Sequence, residues 1–135
     1  LLETGNQSQS PLLASASRSA NMDRHIQNFL KRKPDGVVIQ LGCGLETTYD
    51  RNDNGQTQWY AVDLPNVIEY RRSLLPEPEK ETYLSGDAFS DGWLRQIRRN
   101  MPDTPLLVTA GCLFHYFQEE KVFGLLQMLE GFGNI

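Results

Sequence analysis

Val37-Val38-Ile39-Gln40-Leu41-Gly42-Cys43-Gly44-Leu45-Glu46 sets the frame of this 135-residue chain. Five residues dominated by branched aliphatics, followed at once by turn residues, read as a strand buried on both faces, the kind found at the centre of a parallel sheet. Gly42 and Gly44 then permit a sharp turn and a close approach of a ligand to the backbone, because neither carries a Cβ. The Gly-x-Gly turn gains meaning from Trp59-Tyr60-Ala61-Val62-Asp63, a second strand-like run whose acid falls about twenty residues downstream. A nucleotide-binding βαβ unit places its ribose-binding carboxylate there.

What the turn lacks selects the cofactor. A dinucleotide site continues Gly-x-Gly-x-x-Gly, its third glycine letting a helix N-terminus close on a pyrophosphate; here that position is Thr47, with Glu46 beside it. A carboxylate at that point repels phosphate. S-adenosylmethionine has an adenosine end and a zwitterionic amino-acid end without phosphate, so it tolerates acidic groups and can use one for its ammonium.

Length and composition bound the rest. The chain has one-domain length, and 39% hydrophobic residues suffice for a core. A formal net charge of −4 and a pI near 5.1 give no basic field for nucleic acid. The one basic cluster, Arg95, Arg98 and Arg99, falls on an expected helix with apolar partners. No apolar run approaches the ~18 residues of a membrane span, and the expectation is a soluble cytoplasmic protein that binds neither membrane nor nucleic acid. Cys43 and Cys112 fit that compartment as reduced thiols at strand ends, with packing as their expected role. Two cysteines and two histidines without paired spacing make no zinc site.

Taken in order, residues 1–16 read as a polar lead-in loop and residues 17–135 as the N-terminal part of a single domain. Met22, Ile26, Phe29 and Leu30 form one helical stripe that ends before Pro34. After the glycine turn, residues 49–55 are turn-prone, with room for a short helix at most. Pro65 suits the first turn of a helix in which Val67, Ile68, Leu74 and Leu75 pack while Arg71 and Arg72 face water. Thr82-Tyr83-Leu84-Ser85 is a shorter, mixed strand followed by Gly86 and Asp87. Ser90 is positioned to cap a helix carrying Trp93, Leu94, Ile97 and Met101 on one face. Leu106-Leu107-Val108-Thr109-Ala110 is a further buried strand, ending in Gly111. The last helix opens with Gln118-Glu119-Glu120, acidic as the positive N-terminal dipole prefers, and repeats Val122, Leu125, Leu126 and Leu129.

Strands alternate with helices, which predicts an α/β fold with a parallel sheet and helices on both faces. The expected order places residues 37–41 at the centre, residues 59–63 and 106–110 on either side, and residues 82–85 at an edge. The pattern stops after the fourth strand and its helix, leaving an apolar strand at the sheet's other edge, and on that ground the sequence reads as truncated.

Four pieces together resemble the leucine carboxyl methyltransferase family, including its bacterial polyketide-type O-methyltransferases. They are residues 38–47 (Val38-Ile39-Gln40-Leu41-Gly42-Cys43-Gly44-Leu45-Glu46-Thr47), Trp59-Tyr60-Ala61-Val62-Asp63-Leu64-Pro65, Ser85-Gly86-Asp87 and Ala110-Gly111-Cys112-Leu113-Phe114-His115-Tyr116-Phe117. The resemblance implies a Rossmann-like fold and S-adenosylmethionine-dependent methyl transfer to an oxygen. It implies Gly42 and Gly44 under the methionine part, Asp63 on the ribose hydroxyls, and Asp87 with Ala88 near the adenine. Glu46 and Gly111 complete the implied cofactor site, and Arg18 matches an arginine that pairs with the cofactor's carboxylate, a task suited to a guanidinium fork.

Two departures from the family pattern stand out. Glu46-Thr47-Thr48 replaces the usual Asp-Thr-Arg, and Thr109-Ala110-Gly111 replaces the usual Ala-Glu-Gly. The alternatives are therefore a cofactor-binding module that has lost catalysis, or a nicotinamide oxidoreductase, the latter opposed by Glu46 and Thr47. The acceptor is a carboxylate or hydroxyl on a small molecule or a protein. His115 and Tyr116, just past the fourth strand, are the candidate catalytic residues, and either also suits packing at a helix entry. Asp63 and Asp87 equally suit caps of the helices that follow them.

Overall fold

The computed structural model describes residues 11–110 and 119–132, with side chains from residue 20 onward. Within them strands and helices alternate along the chain: α1 (Pro11–Arg32), β1 (Val37–Leu41), α2 (Thr48–Asn52), β2 (Trp59–Asp63), α3 (Pro65–Leu74), β3 (Glu81–Ser85), α4 (Gly92–Asn100), β4 (Leu106–Thr109) and α5 (Glu119–Glu130). The strands form one sheet in the order β3-β2-β1-β4, and every pairing is parallel. Val38 pairs with Trp59 on one side of β1, and Val37 with Leu106 on the other. All five residues of β1 are buried, as the unbroken apolar run requires of a strand with neighbours on both sides and helices on both faces. β3, with its mixed composition, lies at an edge.

Strand periodicity divides the core. Val37, Ile39 and Leu41 point to one face, where they pack with Val62, Leu106, the α4 residues Trp93, Leu94 and Ile97, and Leu125 of α5. Val38 points to the other face, against Ile26 and Phe29 of α1, Tyr49 of α2 and Trp59. Ala61 continues that second face toward Ile68 of α3, with Cys43 and Tyr83. The rings of Tyr49 and Trp59 meet edge to face at 5.5 Å, a favoured aromatic geometry.

The structure corrects the expected boundaries and faces at several points. α1 begins at Pro11, so residues 11–16 are helical rather than part of a lead-in loop; proline is well suited to a first helical position, where its missing N–H is not needed. The residue before α4 is Asp91, whose carboxylate accepts from Arg95 at 2.7 Å, while the Ser90 N–H closes a turn onto the Asp87 carbonyl. Leu74 and Leu126 are half-exposed: Leu126 lies roughly 100° around α5 from the buried Leu125, and Leu74 is the last residue of α3, with Leu75 already extended. Arg71 is buried instead of facing water, and donates to main-chain carbonyls, as does the buried Arg98.

Candidate functional site

Parallel strands bring the carboxyl ends of β1, β2 and β3 to one edge of the sheet, and the candidate residues gather there. The glycine turn leaves β1 by bonding back to β2: the Gly42 N–H donates to the Val62 carbonyl at 2.9 Å. Gly42 and Gly44 have φ of 64° and 50°, the left-handed region that a side chain disfavours. A Cβ added to Gly44 would meet nothing within 4 Å, so the turn faces open space. Asp63 closes the arrangement. Its Oδ2 accepts the Gly44 N–H at 3.0 Å and its Oδ1 the Leu64 N–H at 2.8 Å, which fixes the carboxylate beside the turn. An ionised carboxylate has about four lone-pair sites, so it retains capacity for two hydroxyls.

Glu46, two residues beyond Gly44, receives a 2.8 Å hydrogen bond from Nε2 of Gln40, a buried side chain on β1. Two carboxylates, Glu46 and Asp63, thus flank the turn, both anchored by neutral donors. From behind, Arg71 of α3 donates through Nη1 to the carbonyls of Gly44 at 3.1 Å and Glu46 at 2.8 Å, and its Nη2 faces Glu81 at 3.5 Å. Burial raises the Glu81 carboxyl above the ordinary carboxylate range, with Arg71 pulling it back. Burial likewise pushes the Cys43 thiol up to about 12, again against Arg71. A thiol so placed is inert packing rather than a nucleophile.

At the end of β3 the Gly86 N–H donates to the Asp63 main-chain carbonyl at 2.9 Å, tying that loop to β2. Asp87 follows, exposed, with Oδ1 accepting the Phe89 N–H at 3.0 Å in a tight local turn. Ala88 is half-buried against the α4 core. Leu45 and Leu64, directly after Gly44 and Asp63, are 45% and 49% exposed and give this edge an apolar component. α1, which carries Arg18, is held against α2 by Asp23, which accepts from Arg51 at 2.9 and 3.2 Å and from Asn52 at 2.9 Å. The Arg18 side chain, Gly111, His115, Tyr116 and Cys112 lie outside the described residues.

Arg71 and Gln40 were not legible as parts of this site. For Arg71 a signal existed, because it follows Ile68 by three residues and so shares its buried helical face. Gln40 was marked by being the polar residue inside an otherwise apolar strand. Among the described residues no cluster of His, Cys, Asp or Glu could hold a metal ion, and no helix is long and apolar enough to cross a membrane.

A parallel sheet with a glycine turn after its central strand and a carboxylate at the end of the next is the frame of a nucleotide-cofactor-binding domain. The sequence model of the leucine carboxyl methyltransferase family matches residues 4–130, and the chain belongs to that family. It is 36% identical over 103 residues to the tetracenomycin polyketide synthesis O-methyltransferase TcmP of Streptomyces glaucescens, a match covering 76% of this chain and 37% of that protein. It is 32% identical over 123 residues to the S-adenosyl-L-methionine-dependent methyltransferase dpfgK of Gibberella zeae, covering 84% and 40% respectively. The matches thus span less than half the length of these relatives. SAM-bound CalS10, an amino pentose methyltransferase from Micromonospora echinaspora, shares 16% identity at a TM-score of 0.36 over 65% of this chain and 39% of that one, a likeness too slight to bear on function.

Proposed function

We propose that this chain forms the cofactor-binding part of an S-adenosylmethionine-dependent O-methyltransferase. The observation that carries the reading is the acidic surroundings of the turn: Asp63 tied to Gly44, and Glu46 anchored by Gln40, beside open space over Gly44. Such a set fits a ligand that brings hydroxyls and a cationic end, and disfavours the pyrophosphate of a nicotinamide cofactor. Membership of the family supports the same choice.

In this reading Asp63 takes the ribose hydroxyls and Glu46 the ammonium, while Gly42 and Gly44 let the methionine part lie against the backbone. Asp87 and Ala88 border the adenine, with Leu64 offering apolar surface to the ring. Arg18 pairs with the carboxylate, and Gly111, which follows β4 in sequence, is a further candidate for the cofactor. S-adenosylmethionine supplies, when bound, a methyl group already activated by its sulfonium charge. The protein's own work is then to align an acceptor oxygen in line with that methyl group and to exclude water. A carboxylate acceptor is ionised at neutral pH and requires no base. A hydroxyl requires one, and His115 or Tyr116 is the candidate. We favour the carboxylate, because it reaches the methyl group already ionised and asks nothing of His115 or Tyr116.

Calorimetric titration of the full-length protein tests the cofactor. Binding of S-adenosylmethionine and S-adenosylhomocysteine but not NAD is expected; binding of NAD alone would replace this reading with an oxidoreductase. Comparison of His115→Gln with the parent on the true acceptor over pH 6 to 9 tests the chemistry. A loss above about a hundredfold in turnover, with loss of the acidic limb of the profile, would make the acceptor a hydroxyl and His115 its base. The second reading is a cofactor-binding module without turnover, favoured by Thr48 and Ala110 standing where the family has arginine and glutamate. Thermal stabilisation by S-adenosylmethionine without methyl transfer to any acceptor would select it.

A further inference from the structure

Arg71 is a buried cation whose short contacts are not with its counter-ion. Its side chain is 3% exposed, its nearest approach to Glu81 is 3.5 Å, and its contact with the Glu46 carbonyl is 2.8 Å. One nitrogen, Nη1, serves two carbonyls two residues apart, those of Gly44 and Glu46. The guanidinium carbon also lies 4.9 Å from the centre of the Tyr83 ring, which limits its movement. A planar trans peptide carries its carbonyl and the next N–H in opposite directions. Holding the Gly44 and Glu46 carbonyls toward α3 therefore sets the Leu45 and Thr47 N–H groups pointing away from it, and fixes two peptide planes of the segment that bears Glu46.

We propose that Arg71 is a positioning residue of the cofactor site, acting through Gly44 and Glu46 to hold the glycine turn in its binding geometry from the side opposite the ligand. This rests on the function proposed above. The role needs arginine: a planar fork can reach two carbonyls and a carboxylate together, whereas an ammonium on a flexible stem is a single point charge. A purely structural Arg71–Glu81 pair would be replaceable, since exchanging a buried ion pair for apolar residues of similar volume is often neutral or stabilising. That difference supplies the test.

In the full-length protein, Arg71→Met combined with Glu81→Met removes both charges and keeps the volume. The expected result is a Tm within about 5 °C of the parent, affinity for S-adenosylmethionine and S-adenosylhomocysteine weakened at least tenfold, and faster hydrogen exchange at residues 44–47 with residues 37–41 unchanged. Glu81→Gln, which leaves the carbonyl contacts in place, is expected to bind within about twofold of the parent. Parent-like affinity in the double variant, or weakening matched by equal loss of protection in residues 37–41, would overturn the proposal. Should the double variant not fold, Arg71→Lys decides on the same measurements. If the parent itself binds no S-adenosylmethionine, the functional reading falls, and exchange at residues 44–47 in Arg71→Lys alone decides whether Arg71 holds the turn.

Discussion

Asp63 already accepts two backbone N–H groups, from Gly44 and Leu64, so replacing it acts on the turn as well as on any ligand hydroxyl. Asp63→Ala is expected to weaken S-adenosylmethionine binding by roughly thirtyfold or more, equivalent to about 2–3 kcal/mol for a lost charge-assisted pair. Asp63→Asn keeps one acceptor oxygen and is expected to lose less; equal affinity of Asp63→Ala and parent in a titration would reduce the residue to a cap. Glu81 gives a pH signature. Its carboxyl is raised by burial, so the folded state holds this proton more tightly than the unfolded chain, and stability falls as pH rises from about 4.3 through the folded pKa. Glu81→Gln, which does not titrate, is therefore expected to gain on the parent as pH rises through that window. Urea midpoints that keep a constant difference across it would refute this. The glycines and Asp63 were readable because strand ends and turns leave composition marks; Arg71 was not, because a charged residue on a short amphipathic helix is ordinarily solvated, and only tertiary placement of the turn's carbonyls makes burial favourable.

At the scale of elements, β1 was legible because its burial on both faces leaves no room for polar alternation, and β3 because a mixed run suits an edge. The start of α1 was not, since Pro11-Leu12-Leu13-Ala14-Ser15-Ala16-Ser17 has no clear apolar period. The joint between α1 and β1 is tight. A Cβ at Gly36 would stand 2.5 and 2.6 Å from ring atoms of Phe29 and 3.0 Å from the Lys33 carbonyl. Phe29 is itself buried against Val38 and Trp59, so its ring has little freedom to retreat. Gly36→Ala is expected to lower stability by about 1–3 kcal/mol, the usual range for overpacking. Chemical denaturation measures it, and a change below about 0.5 kcal/mol would mean that the joint shifts freely.

Across the whole molecule, the sheet order followed from hydrophobic pattern together with the rule that connected parallel strands tend to be neighbours. The acceptor of the proposed methyl transfer did not, because it is chosen by surfaces that a strand-and-turn pattern does not encode; the family assignment does not name it. The order β3-β2-β1-β4 also carries a kinetic implication. β1 meets β2 across a short stretch of chain, Val38 to Trp59, but meets β4 across a much longer one, Val37 to Leu106. Closing the longer loop costs about 1 kcal/mol more in chain entropy. The three strands that carry the glycine turn, Asp63 and Asp87 are therefore expected to assemble first during refolding, with β4 docking afterwards. Pulsed hydrogen exchange during refolding would register this as amide protection in residues 37–41 and 59–63 before residues 106–109. The half of the crevice proposed to grip the nucleoside would then stand ready while the strand leading toward His115 is still being added, so that early ligand encounter precedes completion of the sheet.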